Sequence, residues 1–330
     1  MAGKLRFWLS DAPADAEVLE RAIACARLSG NHRAQMRASH WLAVTFISLT
    51  IPADAATIRA EQLLQEVGKD LWAEADLLKP LSILYAYTGR FADARAALAR
   101  TRSVFTTFGA TLALAESAIP AGVVELAIGD PAAAEQCLRQ GYDALRAMGE
   151  QRFVANIANL LAEALYAQGR FEEAQQMTEV VLAASVEPDA RAQCQAMQAM
   201  LLAPRSQFAA ARRLLDQAQA LLEPISCRSD DAWMLIARAE VSRLAGTPAV
   251  AAADLGEALR IWPPACFSTA PSRPTSVRCW RWPTPGSTRS GVRSLRRCAL
   301  AAPRTRPSPA RTSSPPCTRT RNASASSCTP

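Results

Sequence analysis

Apolar residues recur along residues 1–262 at every third or fourth position, with Glu, Gln and Arg between them. This spacing puts the apolar side chains on one face of a helix. Ala, Leu, Glu, Gln and Arg, which favour helices, dominate the segment, and Gly or Pro interrupts them at regular intervals. Alternating runs of β-branched residues and the Asn-Gly or Asp-Gly turns of β-hairpins do not occur in it. The pattern therefore predicts an all-α protein.

The interruptions form two interleaved series of turns. The first series has steps of 40, 40, 37 and 40 residues, and its members are Gly89, Gly129, Gly169, Ser206 and Gly246. The second series lies between these turns, with steps of 38, 41 and 40 residues, and its members are Gly30, Gly68, Gly109 and Gly149. Two series with one period of about 40 residues indicate two helices of about 15–18 residues in every repeat.

Small residues hold fixed positions around the first series of turns. An alanine stands five residues after each turn residue: Ala94, Ala134, Ala174, Ala211 and Ala251. A small residue stands seven residues before each turn: Ser82, Gly122, Ala162, Ala199 and Ala239. Small side chains at these points let paired helices approach closely. We expect leucines four residues after the alanines to fill the gap between hairpins: Leu98, Leu138, Leu215 and Leu255.

Residues beside the turns have the chemistry of helix ends. A glycine just past a helix adopts the left-handed conformation at little cost. Asp130-Pro131 and Thr247-Pro248 are typical of an N-cap followed by a first-turn proline. Glu172 and Glu173 are expected in a first helical turn, where carboxylates favour the positive end of the helix dipole.

One repeat carries a specific motif, Leu161-Ala162-x-x-Leu165-x-x-x-Gly169-x-Phe171-x-x-Ala174. The motif resembles a tetratricopeptide repeat, although the period here exceeds the usual ~34 residues. The resemblance predicts that residues 1–262 form a right-handed α-solenoid of tetratricopeptide-like helical hairpins. Its structural turn and packing residues are Gly89, Ala94, Gly129, Ala134, Gly169, Ala174, Ala211, Gly246 and Ala251.

Residues 11–262 also resemble the C-terminal helical-repeat region of bacterial multidomain signalling proteins. Those proteins carry an AAA-type ATP-binding module, often with a class III adenylate/guanylate cyclase domain or a DNA-binding domain. Residues 161–174 and 239–246 carry this likeness best. It implies a regulatory or partner-sensing role, and no cyclase or ATPase activity, because this chain does not contain those domains.

The chain departs from the repeat in three places. Ser206 replaces the turn glycine and Pro204 precedes it, which predicts a distorted hairpin there. The hairpin around residues 51–54 is degenerate, and the resemblance stops after Trp262.

Residues 263–330 have a different composition, with 12 Arg, 12 Pro and no Lys, Asp or Glu. The whole chain has a net charge of +7, so residues 1–262 carry −5 and the basic character belongs to this tail. A segment of this kind is expected to be disordered. It is either a basic tail that binds nucleic acid or anionic lipid, a linker, or an out-of-frame translation of a GC-rich gene. We favour the last.

Motifs for catalysis or metal binding are missing from the sequence. His32 and His40 are eight residues apart, no C-x-x-C pair occurs, and no phosphate-binding loop is present. Asp230-Asp231 could hold magnesium only with a second acidic cluster, so we interpret Ser229 or Asp230 as a helix N-cap. The expectation is therefore a non-enzyme without cofactor or metal. No signal peptide or membrane span is expected, and we predict a cytoplasmic protein with reduced, buried cysteines.

Binding residues follow from the position of the first helix in each hairpin, which lines the concave groove of tetratricopeptide stacks. Counting back from the turns gives the candidate partner contacts Lys79, Asn156, Asn159, Glu163, Tyr166, Trp233, Glu240 and Arg243. Asn156 and Asn159 are unusual in an otherwise apolar helix, where they either clamp a peptide backbone or are simply solvated.

The function predicted from these observations is a protein–protein interaction and regulatory scaffold that holds a protein or peptide in the groove. Two alternatives stay open: an all-α enzyme with an unrecognised site, and a truncated inactive gene product. An enzyme of this fold would need ionisable side chains that converge in one concavity, and the sequence shows no clustered set.

Overall fold

The computed structural model describes residues 12–48, 51–224 and 228–261, together with the side chains from residue 16 onward. Within these ranges the chain is helical apart from short turns and contains no β-strand. The all-α prediction is therefore confirmed for the described residues. The predicted tail, residues 263–330, and Trp262 lie outside them.

The α-helices follow one another with short connections. Their bounds are α1 Ala12–Leu28, α2 His32–Ile47, α3 Ala53–Glu66, α4 Leu71–Tyr87, α5 Phe91–Thr107, α6 Thr111–Glu116, α7 Ala118–Ile128, α8 Pro131–Ala147, α9 Arg152–Ala167, α10 Phe171–Ala184, α11 Pro188–Leu202, α12 Phe208–Leu222, α13 Arg228–Leu244 and α14 Pro248–Ile261. A short 3-10 turn, Ala203–Arg205, follows α11.

Helices on either side of a first-series turn pack as hairpins: α4 with α5, α7 with α8, α9 with α10, α11 with α12, and α13 with α14. The first helix of each hairpin also contacts the first helix of the next, in the order α2, α4, α7, α9, α11 and α13. The second helices α3, α5, α8, α10 and α12 each pack against the following first helix. This arrangement is that of a helical-repeat protein.

The turn residues predicted from the sequence have left-handed backbone conformations. The φ angles are +74° at Gly89, +89° at Gly129, +79° at Gly169 and +80° at Gly246. Ser206, at the same place in its hairpin, has φ +60° and is the only described residue other than glycine with positive φ. The expected distortion near Pro204 takes the form of the 3-10 turn that leads into Ser206.

Of the two N-caps predicted from the sequence, Asp130 caps its helix as expected, whereas the Thr247 side chain makes a different hydrogen bond. The Asp130 side chain accepts a hydrogen bond from the Ala133 amide at 3.0 Å, as an N-cap does. Thr247 instead donates its hydroxyl to the Ser242 carbonyl at 2.8 Å, which secures the end of the preceding helix.

Small residues do bring the paired helices close together. Ala94, Ala134, Ala174, Ala211 and Ala251 are buried, as are Ser82, Ala162, Ala199 and Ala239. A Cβ atom placed on Gly122 would lie 2.5 Å from Leu138 Cδ2, so that position has no room for a side chain. Leu138 and Leu215 are buried as expected, but Leu255 is 37% exposed, because no described helix follows α14 to cover it.

Prolines explain where the helices depart from a regular pattern. The single helix expected between Gly109 and Gly129 is divided at Ser117 into α6 and α7. Pro120 cannot donate a hydrogen bond to the Glu116 carbonyl four residues earlier, so the helix breaks there. The hairpin around residues 51–54, which the sequence shows as degenerate, is also irregular in the structure. Its two helices, α2 and α3, pack against each other less extensively than α2 packs against α1 and α4.

One helical stretch, Thr111–Ile128, is long and apolar enough to cross a membrane by length and composition, with a mean hydropathy of 1.5. Of this stretch, 33% is buried inside the described structure. A single stretch of this kind is weak evidence for a span, because the core helices of soluble proteins pass the same test. The absence of a membrane span stays a prediction.

Candidate partner-binding face

The row of first helices α2, α4, α7, α9, α11 and α13 forms one face of the described structure, which we term the first-helix face. All the candidate contacts predicted from the sequence lie on α4, α9 and α13 of this row. Their side chains fall into three groups: an open stripe on α9, an internal bridge between α9 and α13, and a charged cluster around Lys79.

The open stripe lies on α9, a helix that is otherwise mostly buried. Asn156 is exposed, whereas Asn159 and Glu163 are partly buried. The Asn159 amide nitrogen donates to the Ala190 carbonyl at 3.2 Å, so part of its hydrogen-bonding capacity is used within the chain. Asn156, Asn159 and Glu163 follow each other at helical spacing on the same side of α9. The stripe is thus a polar edge on an apolar helix.

Glu163 is a partly buried carboxylate of the first-helix face. Burial alone raises the pKa of its carboxyl group to about 8. Among the described residues, no hydrogen-bond donor or cation is paired with it. The carboxyl group is therefore largely protonated at neutral pH and has an unused capacity to accept a charged donor.

Tyr166, Glu240 and Arg243 form the internal bridge. The Tyr166 hydroxyl donates to Glu240 Oε1 at 3.1 Å, and Arg243 Nε donates to Glu240 Oε2 at 2.6 Å. Burial raises the pKa of Glu240, and the hydrogen bonds from Arg243 and Tyr166 only partly offset this effect. Burial also raises the pKa of the Tyr166 hydroxyl. The sequence analysis named all three residues but did not predict that they bond to one another.

The bridge joins two helices that are not neighbours in the row. Tyr166 belongs to α9 and Glu240 to α13, and α11 lies between these helices. Neighbouring helices are about 8–10 Å apart, so a contact across α11 covers up to about 16–20 Å between helix axes. The long side chains of Tyr166 and Glu240 extend toward each other and meet in a hydrogen bond of 3.1 Å.

The charged cluster consists of His40 on α2, Asp76 and Lys79 on α4, and Glu116 on α6. Lys79 Nζ lies 2.8 Å from Asp76 Oδ1 and 3.3 Å from Glu116 Oε1. Although burial acts to lower the pKa of Lys79, the two carboxylates outweigh it and the pKa is raised. For Asp76, burial acts to raise the pKa, but its interactions with His40 and Lys79 outweigh this effect and the pKa is lowered.

His40 is held by a backbone carbonyl that proline leaves free. Pro80 lies inside α4 and has no amide hydrogen to donate to the Asp76 carbonyl four residues earlier. His40 Nδ1 lies 3.0 Å from that carbonyl oxygen, which fixes Nδ1 as the protonated nitrogen. Burial lowers the pKa of His40 in spite of the nearby Asp76, so the ring is neutral at pH 7. The sequence signal for this contact was Pro80 within an apolar helix.

Several predicted partner contacts thus have internal roles. Lys79, Tyr166 and Glu240 are buried, and their contact with a partner stays a prediction. Trp233 is partly buried beside the apolar core of α11 and α12. The interpretation of Ser229 or Asp230 as an N-cap is wrong, because α13 begins at Arg228 and Asp230 instead accepts a hydrogen bond from Gln193 Nε2 at 2.8 Å.

The described residues were searched for metal-binding groups and for ionised cysteines. No group of three or more His, Cys, Asp or Glu side chains there could hold a metal ion. Burial raises the pKa of Cys137 to about 11 and that of Cys194 to about 12, so both are thiols at neutral pH. Cys25 is exposed, contrary to the expectation of burial, and Cys227 lies outside the described residues.

We compared the chain with protein families, curated proteins and solved structures. No family model and no curated protein matches the chain. A solved structure, titled the crystal structure of BtubC (BKLC) from P. vanneervenii, is similar over 77% of this chain and 95% of that one. The identity is 17% and the TM-score is 0.45, so neither fold nor function is inferred from this likeness.

Proposed function

We propose that the chain is a non-catalytic protein–protein interaction and regulatory scaffold that holds a protein or peptide segment on the first-helix face. The observation that carries the proposal is the continuous row of first helices, with the exposed Asn156 and the partly buried Asn159 and Glu163 forming a polar stripe on α9. A row of stacked helices offers many side chains to an extended segment at once, as helical-repeat binders do.

The finer form of the fold belongs to the same proposal. We infer a right-handed α-solenoid of tetratricopeptide-like hairpins with a repeat of about 40 residues. Its support is the pair of interleaved turn series in the sequence and the buried small residues on both sides of the hairpin turns.

The regulatory part of the proposal rests on sequence resemblance alone. Residues 161–174 and 239–246 resemble the helical-repeat region of bacterial signalling proteins with AAA-type ATP-binding or cyclase domains. On this proposal the chain senses a partner and transmits its binding to a catalytic domain of that signalling class. The comparisons with known proteins provide no link to that family.

The charged cluster bears on the alternative of an all-α enzyme. His40, Asp76, Lys79 and Glu116 do converge, which the sequence analysis did not anticipate. Lys79 is buried and its charge is used in ion pairs with Asp76 and Glu116, while His40 is neutral. We therefore favour a structural role for the cluster, joining α2, α4 and α6.

Binding to the first-helix face can be tested with peptides selected on the full chain from a random 12-residue phage library. Selected peptides, labelled with fluorescein, should bind with saturable fluorescence anisotropy. Asn156→Trp places a bulky ring on the open stripe of α9 and should weaken binding by at least about tenfold. Gln176→Trp makes the same change at an exposed position of α10 and should leave binding unchanged.

Two results would contradict the proposal. One is the failure of the selection to enrich any peptide above an unrelated immobilised protein. The other is equal binding by the wild-type chain and Asn156→Trp, which would locate the binding surface elsewhere.

A further inference from the structure

Large apolar side chains that are exposed to solvent gather at one edge of the row of helices. Of the ten such side chains in the described residues, seven lie within four residues of a second-series glycine or in the turn between α10 and α11: Leu28, Leu71, Trp72, Phe108, Leu112, Met148 and Val186. Only Val250 lies as near to a first-series turn, while Ile58 and Leu255 lie within helices. Scattered single exposures are ordinary, but a bias to one edge marks a surface for interaction.

We term this edge the turn edge and define it by the second-series turns with one helical turn on either side, residues 25–35, 63–74, 104–114 and 144–155. Short connections between packed helices put alternate turns at the same end of the row. Direct contacts join three of them. Asp70 Oδ2 lies 3.4 Å from His32 Nε2, and the rings of Trp72 and Phe108 meet edge to face with centroids 5.9 Å apart.

The aromatic pair is the centre of a continuous apolar patch. The Trp72 ring also lies 5.2 Å from the ring of the buried Phe105, so it is held by the core while 44% of it stays exposed. Phe108 beside it is 54% exposed. Residues 103–115, which include Phe108 and Leu112, contain no charged side chain. Water is therefore in contact with a rigid aromatic and aliphatic surface at this turn.

Charged side chains of the turn edge are divided by sign. Its basic side chains are all exposed: Arg27, Arg33, Lys69, Arg146 and Arg152. Its acidic side chains are all partly buried: Glu66, Asp70, Glu74 and Glu150. The acidic groups are also engaged within the chain, in ion pairs with Arg27 and Arg100 or in hydrogen bonds with the Ala73 and Phe153 amides. No described carboxylate is paired with Arg33 or Lys69. The charge offered to solvent at this edge is therefore positive.

We propose that the turn edge binds the surface of an anionic lipid bilayer. Trp72, Phe108 and Leu28 enter the headgroup region, and Arg33 and Lys69 contact lipid phosphates. Indole and phenyl rings are favoured at the level of the headgroups, and basic side chains are attracted by anionic lipid. The inference goes beyond the proposed scaffold function, because it concerns the ends of the helices rather than the first-helix face.

The charge of the edge favours a bilayer over a second copy of the chain. Two turn edges placed face to face would bring their exposed Arg33 and Lys69 side chains together, and like charges at an interface oppose association. An anionic bilayer instead offers phosphate groups to the cations and an apolar interior to the rings. A protein surface that is both acidic and apolar has similar chemistry, and the test below distinguishes it.

Sedimentation of the full chain with vesicles tests the apolar contribution. The vesicles consist of phosphatidylcholine with about 30% phosphatidylglycerol. The edge variant is Leu28→Ser with Phe108→Ser, at side chains that are 90% and 54% exposed. The matched control is Ile58→Ser with Val250→Ser, at side chains that are 57% and 48% exposed and lie away from this edge. We expect the edge variant to lower the partition coefficient by about tenfold or more and the control to leave it unchanged. Circular dichroism verifies that both variants keep the helical signal.

The contribution of charge has its own pair of variants. Arg33→Gln with Lys69→Gln should weaken binding to the mixed vesicles by about tenfold or more, since each basic side chain near an anionic surface contributes about 1 kcal/mol. Arg212→Gln with Arg213→Gln removes the same charge at exposed positions of α12 and should bind as wild type does. Vesicles of phosphatidylcholine alone should not distinguish the two variants.

Two results would overturn the proposal. Residues 263–330 carry 12 Arg and no acidic residue, so equal binding by the wild type and both edge variants would assign the membrane contact to the tail. Failure of the wild-type chain to sediment with the vesicles would exclude a bilayer and leave an acidic, apolar protein as the occupant. Neither result affects peptide binding on the first-helix face, which Asn156→Trp tests separately.

Discussion

At the scale of single residues, burial and pairing set the charge of each carboxyl group on the first-helix face. Asp76 and Glu163 are both partly buried on this face, yet their pKa values move in opposite directions. Lys79 lies 2.8 Å from Asp76 and keeps it ionised, whereas Glu163 has no cation and its pKa rises to about 8. The identity of the residue thus matters less than the side chains that the fold brings beside it.

The raised pKa of Glu163 predicts a specific pH dependence of stability. The folded chain binds the Glu163 proton more tightly than the unfolded chain, where the pKa is about 4.3. The stabilisation by this proton is complete below about pH 4 and is lost as pH rises to about 8. With allowance for partial exposure, the loss is on the order of 2 kcal/mol.

Urea unfolding of the wild-type chain and Glu163→Gln at pH 5, 7 and 9 measures this effect. We expect the free energy of unfolding of wild type to fall relative to the variant as pH rises. Glu179→Gln should follow the wild-type curve. A constant difference between wild type and Glu163→Gln at all three pH values would contradict the prediction.

At the scale of elements, close contacts between helices depend on positions without a side chain. A Cβ atom on Gly141 in α8 would lie 2.8 Å from the Ala115 carbonyl oxygen of α6 and would also clash with Ala118. The neighbour is backbone and cannot rotate away. A Cβ atom added to Gly256, within α14, would have no neighbouring atom within 4 Å. These two glycines therefore separate the effect of packing from that of helix propensity.

We predict that Gly141→Ala destabilises the chain by about 1–3 kcal/mol, because the overpacked helices must move apart. Gly256→Ala should instead stabilise it by roughly 0.5–1 kcal/mol, since alanine favours the helix. Thermal and urea unfolding of the two variants provide the comparison. Equal effects of both substitutions would mean that α6, α7 and α8 are not closely packed.

Prolines act at the same scale, with opposite results in two helices. Pro120 coincides with a break between α6 and α7, whereas α4 continues through Pro80. In α4 the carbonyl of Asp76, left without its helical donor, lies 3.0 Å from His40 Nδ1. A replacement donor from α2 therefore satisfies the backbone group that a proline would otherwise leave unpaired.

At the scale of the whole molecule, the described helices stack in chain order and their apolar faces form a continuous series of cores. Buried clusters extend from α1 to α13, and the bridge from Tyr166 to Glu240 joins helices that are not neighbours in the row. Each hairpin buries its apolar face mainly against the hairpins before and after it, so stability is distributed along the row.

The composition beyond Trp262 leads to a prediction about the tail. No apolar period continues there, so removing residues 263–330 should retain the helical signal at 222 nm and a cooperative thermal transition. Circular dichroism of the full chain and of the chain ending at Trp262 makes the comparison. Loss of the cooperative transition on truncation would mean that the tail is part of the fold.

The sequence by itself determined the helices, their turns and the small residues between them. Glycine at a helix end and apolar residues at every third or fourth position act locally, so Gly89 and Gly169 could be recognised without knowing the fold. Ser206 replaces glycine in the first series of turns, and its place in that series identified it as a turn residue, which agrees with its positive φ angle.

Only the tertiary structure decided which side chains of the first-helix face are paired. Tyr166 and Glu240 are 74 residues apart in the sequence, and His40 and Asp76 are 36 residues apart, so no local sequence pattern predicts their contacts. Whether Glu163 finds a cation depends on the charges that α7, α11 and α13 bring near it. Electrostatic energy depends on distance and burial in three dimensions, and these are properties of the packed helices rather than of the residue order.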